Sequence, residues 1–253
     1  IGEVQGVIGD DDTDFASPLH GQTVRVRGVV TQLTLDGGGN RGFFLQERAD
    51  ATDGDPRSSD GVFVYNGAFD SLRTLVGSPA AEELGPRWTA AVGDEIVLEA
   101  RVEDHHGNVQ FSGGTAYVYD RADTGLDPLA VVEAVEADPP DEAADAERHF
   151  RRRLGMQMTV PADSVVTAGR DVFGADGEVW AMRGDHETAR REDYSRRVFR
   201  DAHPLDNVPE EAFDDGNGHL FVIGSFGIKA TEGDAAAIIA PAKTYDVIDE
   251  AAT

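Results

Sequence analysis

The 253-residue chain contains no cysteine, which excludes a disulfide framework, a zinc–thiolate site and a thiol nucleophile. Lysine is nearly absent. Lys229 and Lys243 are the only two among 22 basic residues, so arginine supplies almost all the positive charge. No apolar run approaches the ~18 residues of a membrane span, so no membrane partner is expected. No Asn-x-Ser/Thr sequon occurs, which gives no support to a glycosylated coat. The chain opens at Ile1 with neither Met nor a signal peptide, so a mature form or an excised fragment is expected, with neighbouring domains missing.

What is plentiful is negative charge. Asp and Glu number 48 against 22 basic residues, a formal net charge of −26. Such a surplus repels itself in dilute buffer, and the repulsion is largely screened at molar salt, where the Debye length is about 3 Å. Acid-rich, lysine-poor composition is that of proteins from extreme halophiles. A disordered acidic tail is the rival reading, but the apolar residues here gather in strand-like runs. A folded, halophilic protein is therefore expected, and composition by itself leaves both a secreted and a cytoplasmic location open.

Residues 22–35 (QTVRVRGVVTQLTL) read as the clearest strand. Val24, Val26 and Val30 fall on one face, and Arg25, Arg27, Val29 and Thr31 on the other. Gly28 within it predicts a bulge or bend. After the loop Gly37–Asn40 come strands at 42–46 and 61–65, separated by an acidic loop from Glu47 to Asp60. A helical stretch interrupted by Pro79 is expected over 68–84. Strands at 95–103 and from 109 to 119 follow, joined by the turn Asp104–Gly107. Three strands, a helical connection and two more strands make the connectivity of an OB-type Greek-key barrel. A helix is predicted over 141–154, acidic early and basic late. Strands are predicted at 156–160, 163–168, 178–183, 194–199, 219–224 and 243–248. The expected architecture is mostly β: a five-stranded OB barrel over 1–125, a helical linker over 126–155, and a second β-rich module over 156–253, an OB-like barrel among its options.

Several segments also carry a resemblance. Ile1-Gly2-Glu3-Val4-Gln5-Gly6 precedes Ser17-Pro18-Leu19-His20-Gly21-Gln22-Thr23-Val24 and Gly28-Val29-Val30. Then come Gly42-Phe43-Phe44-Leu45-Gln46, Asp53-Gly54-Asp55-Pro56, Ser59-Asp60-Gly61-Val62-Phe63-Val64-Tyr65 and Val92-Gly93-Asp94. Over residues 1–120, and loosely through 148–160 and 178–224, this succession resembles the OB-like region of large extracellular nucleases. The catalytic half of those proteins belongs to the endonuclease/exonuclease/phosphatase superfamily. The resemblance implies a non-catalytic region that positions DNA or supports a catalytic domain of the same parent chain. The superfamily's catalytic signature is not visible here. Asp185-His186 has no Asp-x-Asn before it at catalytic spacing, and Gln46-Glu47 ends a strand rather than supplying the metal-binding Glu.

An OB barrel binds on strands 2 and 3, between the loops joining strands 1–2 and 4–5. Those strands carry Phe43, Phe44, Phe63 and Tyr65, whose rings can stack bases of single- or double-stranded DNA. Strand alternation must bury one face of these aromatics, and Phe63 and Tyr65, which share a face, form the preferred pair. Arg25, Arg27 and Arg41 are candidate phosphate contacts. Asp50, Asp53, Asp55 and Asp60 form a carboxylate loop that is a candidate site for Ca²⁺ or Mg²⁺. Asp10–Asp14 and Asp214-Asp215 are weaker acidic clusters, read as solvated surface. Asp185-His186-Glu187 and Asp201-Ala202-His203 are also read as surface, because no Gly-x-Ser-x-Gly or comparable nucleophile signature accompanies them. His105-His106 is read as a turn pair, and Arg183–Arg200, which alternates basic and acidic residues, as a salt-bridged surface rather than a phosphate track. Two other classes remain beside the nucleic-acid reading: an extracellular structural or protein-interaction module, and a metal-dependent hydrolase with a dispersed acidic site.

Overall fold

Valine alternation on the first strand drives its pairing on both sides, and the remaining strands close around it. The computed structural model describes residues 1–12, 14–36, 39–74, 91–105, 107–119, 127–140, 143–162, 164–173, 176–182 and 221–224. The chain divides into two compact units, one of residues 1–135 with 151–157, the other of 136–150 with 158–253.

The first unit opens with the short helix α1 (Gly2–Gln5). Five strands follow: β1 (Thr23–Asp36), β2 (Gly39–Gln46), β3 (Gly61–Thr74), β4 (Glu95–His105) and β5 (Asn108–Val118). They form a closed barrel in the order β1-β2-β3-β5-β4. All neighbouring pairs are antiparallel except β3 and β5, which run parallel. β1 serves two partners. Thr23 to Val29 pair with β4, and from Val29 onward the strand pairs with β2.

Side-chain alternation sorts inside from outside. Val30, Phe43, Leu45, Val62, Val64, Ile96, Leu98, Val102 and Phe111 are fully buried in the barrel interior. Arg25 and Arg27 point outward, whereas Val29 is buried on their side of the strand. The irregularity expected at Gly28 lies further on, between Val30 and Gln32. Gly28 instead answers a close approach: a Cβ there would stand 2.7 Å from the Gln46 carbonyl oxygen.

The helix expected over 68–84 is corrected for its first part. Residues 68–74 continue β3, held by the parallel ladder from Phe69↔Gly114 to Thr74↔Val118. Sheet pairing there overrides a weak local helical preference. The rest of that segment lies outside the described residues.

After β5, helix α2 (Pro128–Val131) and residues 132–135 return to the barrel, where Arg48 and Val132 form a β-bridge. Residues 151–157 also belong to this unit. Helix α3 (Ala143–Arg151), whose residues 143–150 belong to the second unit, ends three residues earlier than expected. The chain then turns at Gly155, whose φ of 80° suits glycine. Two-residue strands β6 (Val135–Glu136) and β7 (Met158–Thr159) precede a three-stranded antiparallel sheet. That sheet comprises β8 (Val165–Phe173), β9 (Asp176–Met182) and β10 (Phe221–Gly224), in the order β10-β9-β8. Ala137, Val160, Ala181 and Phe221 form its small buried cluster. The strands expected at 194–199 and 243–248 lie outside the described residues. Among the described residues, no helix is long and apolar enough to cross a membrane.

Candidate functional site

The β2–β3 ladder presents three rungs on its outer face: Gly42 opposite Tyr65, Phe44 opposite Phe63, and Gln46 opposite Gly61. Phe44 and Phe63 are half-buried, with ring centroids 5.3 Å apart and planes tilted by 53°. This is the separation and tilt of an attractive aromatic pair. A Cβ at residue 42 would stand 2.5 Å from the Phe63 ring, so Gly42 leaves the space in which that ring lies. Tyr65 is 44% exposed. Phe43, proposed with these residues from sequence, is instead fully buried in the core beside Leu45 and Val64. Its place in the alternation turns it inward and takes it out of the outer surface. Arg41 lies within β2.

The other two arginines occupy a different part of the barrel, on the half of β1 that pairs with β4. The Arg25 guanidinium sits 5.3 Å from the Tyr117 ring centroid and that of Arg27 4.8 Å from the Tyr119 ring. Both are cation–π contacts. Arg27 also donates from Nε to Glu95 Oε1 at 2.7 Å. These arginines are thus held by protein partners, and the structure does not bring them to the Phe44–Phe63–Tyr65 surface. Beside them is a cavity of about 410 Å³ lined by Arg27, Gly28, Glu47, Arg48, Asp50 and Ala51. The sequence reading missed Tyr117, Tyr119, Arg48 and Glu95. The alternating run Ala116-Tyr117-Val118-Tyr119 was the available signal for the two tyrosines.

The carboxylate loop resolves into separate pairs. Arg48 donates to both Asp50 oxygens, at 3.0 and 3.3 Å, and this bond holds the Asp50 carboxyl below its usual range. Arg57 donates to both Asp55 oxygens, which lowers that carboxyl to about 2. Asp53 accepts from the Asp55 backbone N–H at 2.8 Å and from Ser58 Oγ at 3.2 Å, fixing the loop's own turn. Asp60 is 7% exposed, and its Oδ1 has no hydrogen-bond partner. Burial, reinforced by Glu47 and Asp53, pushes it up to about 6.

Among the described residues no three His, Cys, Asp or Glu side chains converge to hold a metal ion. The set Asp50, Asp53, Asp55 and Asp60 therefore does not fit a Ca²⁺ or Mg²⁺ site, because arginines engage two of its members. In the N-terminal acidic cluster, Asp10 pairs with Arg152, Asp12 accepts from the Gly9 N–H and Asp14 from the Ala16 N–H. His106, Asp185-His186-Glu187, Arg183–Arg200, Asp201, His203 and Asp214-Asp215 lie outside the described residues.

The chain matches no protein-family model, no curated protein and no solved structure.

Proposed function

We propose that the closed barrel is an OB-type module whose β2–β3 face binds single-stranded nucleic acid. In this reading it is a non-catalytic part of a secreted halophilic nuclease, and its role is to position the strand for a catalytic domain of the same parent protein. The observation that carries the reading is the outward row of Phe44, Phe63 and Tyr65 on adjacent strands of a 1-2-3-5-4 barrel. The strand order and the parallel β3–β5 pair are those of the OB barrel, and β2–β3 is the face on which such barrels take oligonucleotides.

Charge shapes how binding works. A net charge of −26 repels polyphosphate, and counterion release contributes less as salt rises. Arg25 and Arg27 are engaged by Tyr117, Tyr119 and Glu95. The affinity then comes from base stacking, which tolerates any sequence and contributes about 1–3 kcal/mol per base. Titration of a labelled oligothymidylate in about 2–3 M KCl, where phosphate attraction is screened, tests this. Phe63→Ala with Tyr65→Ala is expected to weaken binding by about ten-fold or more. Absence of wild-type binding removes the reading, while unchanged affinity in the double variant moves the site elsewhere.

A further inference from the structure

The aromatic face ends against the chain's own backbone. Its third rung, Gln46 opposite Gly61, is crossed by residues 154–157. Gly61 shares the outer face of β3 with Phe63 and Tyr65, since Val62 and Val64 point inward. A Cβ built on Gly61 would stand 2.3 Å from the Gly155 carbonyl carbon and 2.4 Å from the Met156 nitrogen. One built on Gly155 would meet the Val62 nitrogen at 2.7 Å. Two glycines are therefore what allows this strap to lie flat on the sheet.

The strap is tied along its length. Gln157 N–H donates to Gln46 Oε1 at 2.8 Å, and Gln46 Nε2 donates to the Glu133 carbonyl at 2.6 Å. Ser59 Oγ donates to the Leu154 carbonyl at 2.8 Å. Just upstream, Arg151 donates to Gly107 O and Asn108 Oδ1, both at 2.6 Å, at the tip of the β4–β5 hairpin. Arg152 donates twice to the Ile8 carbonyl, at 3.0 and 2.7 Å.

We infer that this strap sets how long a strand the aromatic face accepts. It closes the surface at the third rung and leaves Phe44, Phe63 and Tyr65 to stack two or three bases of a short single-stranded segment. The inference rests on the nucleic-acid reading of that face. Single OB folds occupy about 4–16 nucleotides, and the strap puts this one at the short end. Gly61 is the place to undo the restriction, because an alanine methyl there points away from the barrel core and into Gly155.

Oligothymidylates of about 2, 4, 8 and 16 nucleotides, spanning the range of OB site sizes, are titrated in molar KCl. For the wild type, affinity levels off at about four nucleotides and thereafter grows only with the number of binding registers. Gly61→Ala lifts the strap by contact, and Gln46→Ala removes its bond from Gln157, together with the adjoining bond to Glu133, without adding bulk. In each, the plateau moves to a longer oligomer, so that the eight-mer binds more tightly than the four-mer beyond the gain in registers. A wild-type affinity that climbs steadily to the 16-mer overturns the inference, as does an unaltered length profile in both variants. Should neither variant fold, the wild-type profile decides alone. No binding at any length instead defeats the nucleic-acid reading itself, and the inference with it.

Discussion

Glu95, 3% exposed, holds Arg27 at 2.6 Å on the outer face of the barrel, beside the point where β1 passes from β4 to β2. Arg48 stands 3.9 Å from the other oxygen of the same carboxylate. One buried anion thus links two cations from different elements, and Arg27 is further steadied over Tyr119. Charge-assisted hydrogen bonds of this kind stabilise by about 1.5–3 kcal/mol, and leaving a buried partner unpaired costs more than an exposed one. Arg27 is half in solvent and recovers water when released, which places Glu95→Gln toward the lower end. A loss of about 1–2 kcal/mol is expected from urea unfolding. A variant as stable as wild type would show that the carboxylate charge contributes nothing net at this junction.

Asp60 gives the barrel a pH dependence of unusual sign for a carboxylate. Burial, then the neighbouring charges of Glu47 and Asp53, raise it to about 6, with Glu133 adding to the effect and the Ile1 amine opposing it. An unfolded Asp titrates near 3.9. The native state therefore keeps a proton that the unfolded state has released, and stability falls as pH rises from about 4 through about 6. Asp60→Asn removes this slope. The variant is expected to exceed wild type by about 1–2 kcal/mol at pH 7, the advantage shrinking toward pH 4. Urea midpoints across that interval check it, and a difference that stays constant with pH would mean that another group titrates.

Gly28 is required by space. The carbonyl oxygen of Gln46 would lie 2.7 Å from a Cβ at this position and the Leu45 side chain 2.9 Å. Backbone does not yield as a flexible side-chain tip does, so Gly28→Ala must shift β1 or β2. Overpacking of this kind costs about 1–3 kcal/mol, and Gly28→Val is expected to cost more. Thermal unfolding of the two variants distinguishes steric crowding, which grows with side-chain size, from a change in chain entropy. Alanine is expected to stabilise a glycine site where there is room for it.

The barrel was legible because its strands alternate and its turns carry glycine. Val24 and Val26 facing one way with Arg25 and Arg27 the other fixed β1, and the short apolar runs before Glu47 and after Asp60 fixed β2 and β3. The same alternation named Phe63 and Tyr65 as a pair on one face, and its strict application would have turned Phe43 inward at once. Residues 68–74 were misread as helix because their strand character comes from pairing with β5, some forty residues further along. Local propensity carries no trace of such a partner. The loop Asp50–Asp60 read as a metal site because spacing shows carboxylates but not the arginines that neutralise them. Arg48 and Arg57 lie only two residues from Asp50 and Asp55, yet their bidentate geometry belongs to the folded loop. The Gly61–Gly155 contact joins positions too far apart in the chain for any periodicity to reveal.

Salt tests the environmental reading directly. Raising KCl from about 0.1 M to about 1 M shortens the Debye length from about 10 Å to about 3 Å. Two electrostatic effects then oppose each other. Exposed pairs such as Arg57–Asp55, at 2.7 Å, weaken, but such pairs contribute about 0–1 kcal/mol each at best. The repulsion among the uncompensated charges of a −26 chain weakens as well, and it acts over the whole surface. The second effect wins on number, so the unfolding midpoint rises with KCl. Salt also strengthens apolar burial to some extent, and sucrose at matched osmolality isolates that contribution because it is excluded from the surface without screening charge. The expected result is a large rise in KCl and a small one in sucrose. Equal rises would assign the effect to solvent exclusion, and a midpoint that falls with KCl would remove the molar-salt habitat from the reading.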